Sequence, residues 1–458
     1  MSPVDHRAIL ASLKQALRTQ SGSSCWWVAF SGGLDSSALL HALQQWREQD
    51  DWPGVSLKAV HVNHGLSPYA DQWQSHCQTV CNALDVPLIV ERVSVQNRGK
   101  GLEAAARKAR YAAFEQQLGA GDTLLTAHHQ DDQAETLLLR LLRGAGTRGM
   151  AAMGEARPLG KGQLLRPLLS VSRQSLQNYA RHHRIAFCDD DSNSQQHFDR
   201  NYLRQSILPL LRQRWPQLTQ TWARSAQVLA DNEEIVAAVA AKDLAACQPE
   251  LARLGWRIQL AGFSQLPVAR RNNVIRYWCD EHALPLPEYR HLQLLADAIT
   301  AYRQNLSQTI ALQWSEVALR QFRDSLYLLP AVETNRPELV ELTLPQAEDA
   351  VSLLPNGSVL KQTIATGGLR RDLGPLIVRW RQGGERCHPA HRRHSQTLKK
   401  CLQEYGLEPW LRDCVPLIFA GEKLVAVADL WVEAECAVGP KQPGWCWQWY
   451  FPGNSSRQ

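Results

Sequence analysis

Between about residues 26 and 187, short continuous apolar runs alternate with stretches whose apolar positions recur every three or four residues. The runs WWVAF, LKAVHV, PLIVERVSV, DTLLTAH and LLRPLL read as strands, and the stretches after them read as helices. This alternation predicts an α/β fold, a doubly wound parallel sheet. Ligands collect at the carboxyl ends of strands in such sheets, so the residues that close each run are where chemistry is expected.

Beyond the polar segment CDDDSNSQQHFDRNYLR the pattern turns helical without strand-like alternation, which puts the end of the catalytic α/β domain, residues 1–215, near that point. A small helical domain is expected over 216–330, an acidic, proline-containing linker over 331–365, and an α+β domain over 366–458 built on PLIVRW, PLIFA and KLVAVADLWV. The length of 458 residues accommodates this, at roughly 150 residues per domain.

Composition narrows the class. With 44% hydrophobic and 21% charged residues the chain is neither disordered nor fibrous. Apolar runs such as 26–30 and 137–142, the latter broken by Arg140, are too short for a bilayer, and the N-terminal helical pattern is broken by Lys14 and Arg18, unlike a signal peptide. The expectation is a protein without a membrane partner. Eleven cysteines with no CxxC pair fit a reducing cytoplasm, and Cys77 and Cys81 read as small buried apolar residues.

The net charge of +6 is mild, but its distribution is uneven. Lys361, Arg370, Arg371, Arg379, Arg381, Arg386, Arg392, Arg393, Lys399 and Lys400 face only Asp372, Glu385 and Glu404 within 361–404. That density suits a nucleic-acid backbone; a soluble basic face is the plainer alternative. His388, His391 and His394 lie in the same stretch, with no cysteine pair placed to complete a zinc site.

Four junctions carry candidate chemistry. At the end of the first strand stands Ser31-Gly32-Gly33-Leu34-Asp35-Ser36-Ser37, followed by an apolar helix. Glycines let backbone amides approach an anion, a helix start presents unsatisfied N–H groups, and serines add hydroxyl donors, so the segment is built to hold phosphate. No GxxxxGK[ST] loop occurs, and no GxGxxG follows the first strand. At the end of the fourth strand stands HHQDDQAET, residues 128–136, where Asp132 and Glu135 are placed to face one pocket and bind an ammonium, or to complement the helix dipole. A third helix, GLEAAARKARY, presents Arg107 and Arg110 on a basic face. The fourth segment, Asp190-Asp191-Ser192-Asn193 with Asp199-Arg200-Asn201-Tyr202-Leu203-Arg204, puts Arg200 and Arg204 on one helix face, suited to phosphates.

SGGLDSS resembles the PP-loop of the N-type ATP pyrophosphatases, which split ATP between the α- and β-phosphates and adenylate a carbonyl-type oxygen. The HHxDD…ET pattern, the ExxARxxRY-like helix and the DxSN…RNxxR signature resemble the tRNA(Ile)-lysidine synthetases within that family, as does the C-terminal stretch from GGERCHPAHRRHSQTLKKCLQEYG onward. Lys108 stands where that family often carries Glu. The resemblance implies a ligase that adenylates the wobble cytidine of tRNA(Ile) with a CAU anticodon, using ATP, and then joins free L-lysine to carbon 2 of the base. It implies that residues 31–37 bind ATP, that Asp35 holds Mg²⁺ or acts as a base, and that Asp132 and Glu135 grip the α-ammonium of lysine. Arg107 and Arg110 would border the reaction, and Arg200, Arg204, Arg392, Arg393, Lys399 and Lys400 would meet the tRNA. A PP-loop tRNA thiolase would share the first two motifs but should carry cysteine pairs. An RNA-binding protein with a relic nucleotide site is the non-enzymatic alternative. Oligomeric state stays open, a homodimer included.

Overall fold

The computed structural model describes residues 3–20, 22–49, 51–95, 102–188, 199–304, 306, 309–330, 341–392 and 394–452. The chain forms two compact units, residues 1–235 and 236–458.

In the first unit α1 (Pro3–Leu17) precedes β1 (Cys25–Ala29), α2 (Leu34–Arg47), β2 (Ser56–Asn63), α3 (Ala70–Ala83), β3 (Leu88–Arg92), α4 (Leu102–Gln117), β4 (Thr123–Leu125) and α5 (Gln130–Leu142). A short α6 (Thr147–Met150), the hairpin β5 (Ala156–Leu159) and β6 (Gly162–Leu165), and α7 (Arg173–His182) follow. Then α8 (Asp199–Tyr202) runs through a π-helical turn, Leu203–Ile207, into α9 (Leu208–Arg214). The sheet order is β3-β2-β1-β4-β6-β5, parallel except for β5, which pairs antiparallel with β6.

The central strand shows why its sequence is apolar without alternation. Trp26 and Val28 point into a core shared with α1, α2, α3 and α7, while Cys25 and Trp27 point into a second core with Phe114 of α4. Both faces of β1 are therefore covered, as parallel strands require. Trp26 meets Trp46 and Trp52 with ring centroids 5.7 and 5.0 Å apart. Cys77 and Cys81 are fully buried in the first core, and all eleven cysteines are free thiols. No helix among the described residues is long and apolar enough to cross a membrane.

The long α10 (Leu218–Ala246) leads into the second unit. The region expected to be helical does hold α11 (Leu260–Gln265), α12 (Val268–Glu281) and α13 (Tyr289–Arg303), but it also contains a five-stranded antiparallel sheet. Its strands are β7 (Glu250–Leu251), β8 (Trp256–Gln259), β9 (Ala311–Trp314), β10 (Val317–Phe322) and β11 (Ser325–Pro330), in the order β7-β8-β11-β10-β9. The expected linker is also corrected. From residue 342 onward it is sheet: Leu342–Thr343 pairs with Leu376–Arg379, and Val359–Thr366 pairs along its whole length with Pro443–Tyr450. Leu354 and Leu360 are buried with the C-terminal tryptophans, which a solvated linker would not allow. The runs read as C-terminal strands fall at Leu376–Arg379, Leu417–Ala420, Lys423–Val427 and Trp431–Val432, all in one antiparallel sheet.

Candidate active site

The segment 31–37 turns out of β1 and into α2. Gly32 has φ 81°, a conformation that L side chains rarely adopt, and a Cβ there would lie 2.9 Å from the Cys77 sulfur. Gly33 is the N-cap of α2 and supplies no side chain to cap it, so the leading amides of the helix are left to an outside acceptor. Ser31 Oγ lies 3.1 Å from Ser36 Oγ, and Ser36 Oγ donates to Gly33 O at 3.0 Å. Two polar atoms remain orphaned: Ser37 Oγ and Asp35 Oδ1 are both buried without a partner. Unsatisfied donors beside an unused carboxylate oxygen suit a phosphate group that arrives with a cation.

The second motif reaches this loop through His129. Its ring caps α5 reciprocally with Asp132: the Asp132 amide donates to Nδ1 at 3.4 Å, and the His129 amide donates to Asp132 Oδ2 at 3.0 Å. His129 Nε2 also lies 3.5 Å from Asp35 Oδ2. Burial opposes a charge on the His129 ring, but Asp132 and Asp35 beside it hold its pKa above the ordinary histidine value. His128, the next residue back, goes the other way. Burial pushes it down to about 4, Asp132 opposing and Arg166, Arg200 and Arg107 assisting, so it is neutral at pH 7. Its Nδ1 lies 2.8 Å from Thr126 Oγ1.

Asp132 and Glu135 converge, as their spacing implies, but on guanidinium groups. Arg200 Nε donates to Glu135 Oε2 and its Nη2 to Asp132 Oδ1, both at 2.8 Å. Arg204 donates to Glu135 Oε1 at 2.6 Å, to Glu135 Oε2 at 2.8 Å and to Asp132 Oδ1 at 3.1 Å. The two carboxylates and two guanidiniums form a neutral, hydrogen-bonded quartet in which the Glu135 side chain is only 2% exposed. Burial disfavours the Asp132 charge, yet His129 and the two arginines hold its carboxyl well below the usual carboxylate range. Arg200 and Arg204 thus share one face, but that face is turned to carboxylates, and a free ammonium reaching Asp132 would have to displace a guanidinium. Asp131 is committed elsewhere: it pairs with Arg212 of α9 and accepts from the Arg173 amide at 2.9 Å.

Arg110 donates through Nε to His64 Nε2 at 3.2 Å, at the carboxyl end of β2. Burial, then Arg110 and His61, push His64 down to about 4. Arg107 lies over the Tyr111 ring, 5.0 Å from its centroid. Asp190-Asp191-Ser192-Asn193 and Arg393 lie outside the described residues. In the C-terminal unit Arg392 pairs with Glu404 at 2.5 Å, and Lys400 lies 3.9 Å from the same carboxylate. His388 Nε2 sits 2.9 Å from Arg392 O. His129 and Asp131 stand within HHQDD, but sequence reasoning gave neither a role, and His64 carried no motif to mark it.

The chain matches three family models: a PP-loop domain over residues 6–211, a TilS substrate binding domain over 258–327 and a TilS substrate C-terminal domain over 376–449. It is 38% identical over 424 residues to the tRNA(Ile)-lysidine synthase of Coxiella burnetii (strain RSA 493 / Nine Mile phase I), covering 91% of each chain. The chain belongs to the tRNA(Ile)-lysidine synthase family. It is also 40% identical to the synthase of Shigella flexneri, over 92% of this chain and 95% of that one, and 40% identical to that of Serratia proteamaculans (strain 568), over 92% and 94%. Family membership bears out the PP-loop resemblance and sets aside the thiolase alternative.

Proposed function

We propose that this chain ligates free L-lysine to carbon 2 of the wobble cytidine of tRNA(Ile) with a CAU anticodon, in two steps driven by ATP. The observation that carries this reading is the junction of residues 31–37 with the Asp132–Glu135 quartet through His129, which puts a phosphate cradle and a paired-charge site at neighbouring strand ends. In the first step the oxygen on carbon 2 attacks the α-phosphate and diphosphate leaves. In the second the lysine side-chain amine attacks carbon 2 and AMP leaves.

Residues 31–37 bind the triphosphate. The orphaned Oδ1 of Asp35 fits Mg²⁺, which when bound neutralises phosphate charge. Held amides and hydroxyls then stabilise the departing diphosphate without reorganising. The quartet receives the amino-acid end of lysine. A zwitterion can enter an arginine–carboxylate pair without leaving a charge bare: its α-ammonium takes over part of the Asp132–Glu135 contacts while its α-carboxylate takes the guanidinium it displaces. The side-chain amine, with a free pKa of roughly 10.4, must lose its proton to a base before it attacks. Arg107 and Arg110 border the reacting base. Lys399, Lys400, Arg392 and Arg393 contact the tRNA away from the anticodon, and the reaction takes place in the cytoplasm.

The test is to supply tRNA(Ile) and ATP labelled on the α-phosphate, and to leave lysine out. Label should accumulate on the RNA with release of one diphosphate and be discharged as AMP when lysine is added. Diphosphate release that ignores the RNA, or label that lysine does not discharge, would exclude the two-step route.

A further inference from the structure

A second group of arginines surrounds Tyr111, on the other side of β4 from the phosphate loop. Arg166 follows β6 directly and is only 5% exposed. Its Nη1 donates to Gly154 O at 2.5 Å, while its Nε is buried without a partner. Arg157, exposed on β5, lies over the Tyr111 ring at 4.9 Å, and Arg107 lies over the same ring at 5.0 Å. Arg140 donates to Gly149 O and Ala152 O at 2.6 and 2.8 Å. Arg140, Arg157 and Arg166 donate to backbone carbonyls, and Arg166 also hydrogen-bonds the Tyr111 side chain; no carboxylate among the described residues pairs with any of the three. Burying a guanidinium next to like charges is costly unless an anion completes it. The quartet a few residues away shows what completion looks like in this same unit: there every guanidinium meets a carboxylate.

We propose that Arg157 and Arg166, together with Arg107, form a cradle for the phosphodiester backbone beside the wobble nucleotide; this rests on the tRNA reading given above. Two features select an RNA backbone. Strand neighbours are spaced about 4.8 Å apart, so the end of β6 lies on the order of 10 Å from the end of β1, too far for the same triphosphate to use both sites as its main anchor. The Tyr111 ring already carries two guanidiniums, so it serves as their platform and is not free to stack a base. The cradle therefore fixes the position of the strand and leaves base reading to groups at the end of β4, where His128 lies within the field of Arg107 and Arg166.

Equilibrium binding of tRNA(Ile) across a salt series tests this, with Arg157→Gln as the principal variant because it is exposed. Arg157→Gln should weaken binding roughly five- to tenfold and reduce the slope of log K against log salt by roughly 0.7–0.9, as expected for one lost phosphate contact. The loss should be equal for a non-cognate tRNA. Arg166→Lys, which keeps the charge but not the fork, should show the larger binding loss and an unchanged slope. An Arg157→Gln protein with wild-type affinity and slope would overturn the cradle, as would a change confined to the KM of ATP or of lysine. Failure of the wild type to transfer lysine would instead refute the proposed reaction and leave the salt-slope comparison intact.

Discussion

Arginine does different work in two regions of this molecule. In the C-terminal unit three half-buried cations of the crowded stretch 361–404 are partnered by exposed acids from elsewhere in the chain: Lys361 with Asp349, Arg379 with Glu341 and Glu422, Arg381 with Asp413. In the catalytic unit the guanidiniums sit at strand ends, where Arg200 and Arg204 are neutralised by buried carboxylates and Arg166 is buried with none. Local charge density says little about either. What decides is burial, and whether the counter-charge is built in or must be brought by a ligand.

The sharpest way to break the comparison is to remove one built-in counter-charge. Glu135→Ala leaves two guanidiniums facing Asp132 alone and should cost about 3–5 kcal/mol of stability, read as a shift in the denaturation midpoint of the catalytic unit. Arg379→Ala, which breaks pairs to the exposed Glu341 and Glu422, should shift the midpoint far less. Equal effects from the two would erase the distinction.

Next in size is the response to acid. Burial pushes His41, His64 and His128 from 6.5 down to about 4, so the folded chain keeps them neutral while an unfolded imidazole takes a proton below about 6.5. Their contribution to stability is complete above pH 6.5 and is lost as the pH falls toward 4. Asp132 adds nothing to the loss in that window, because its depressed carboxyl contributes stability above about 3.9 that disappears only at lower pH. Stability measured by urea titration should therefore fall between pH 6.5 and 4, and His41→Asn should flatten the slope by about one proton. A flat profile in wild type would contradict the buried neutral rings.

The smallest effect is expected at the C-terminal patch. Replacing Arg392 and Arg393 by alanine should raise the KM for tRNA roughly threefold, with a lower salt dependence and no change for ATP. The effect is modest because Arg392 already spends its charge on Glu404. A change in the ATP KM alone would remove this patch from the tRNA contact.

The same contrast explains what could be read from the sequence. The strand from Cys25 to Ala29 was legible because burial on both faces demands a continuous apolar run. Strand β5 was not: its first three residues are exposed and Pro158 obscures the pattern, while its partner β6, read within LLRPLL, ends at Leu165. The strands around Val317 and Leu326 passed unnoticed beside the stronger helical periodicity of 268–303. At the site, the convergence of Asp132 and Glu135 followed from their spacing within one helix turn. Their union with Arg200 and Arg204, from 65 to 72 residues further along, is a tertiary fact, and side-chain type alone suggested phosphate. The Arg157–Tyr111–Arg166 group was hidden for the same reason, its members being contributed by α4, β5 and the end of β6.

The central claim is lysine transfer to one nucleotide of one tRNA. The measurement closest to it supplies labelled lysine, ATP and a tRNA(Ile) transcript with a CAU anticodon to the purified chain and follows label into RNA. The expected result is ATP-dependent incorporation into that transcript and not into elongator methionine tRNA with the same anticodon. No incorporation by folded protein, or equal incorporation into both RNAs, would contradict it.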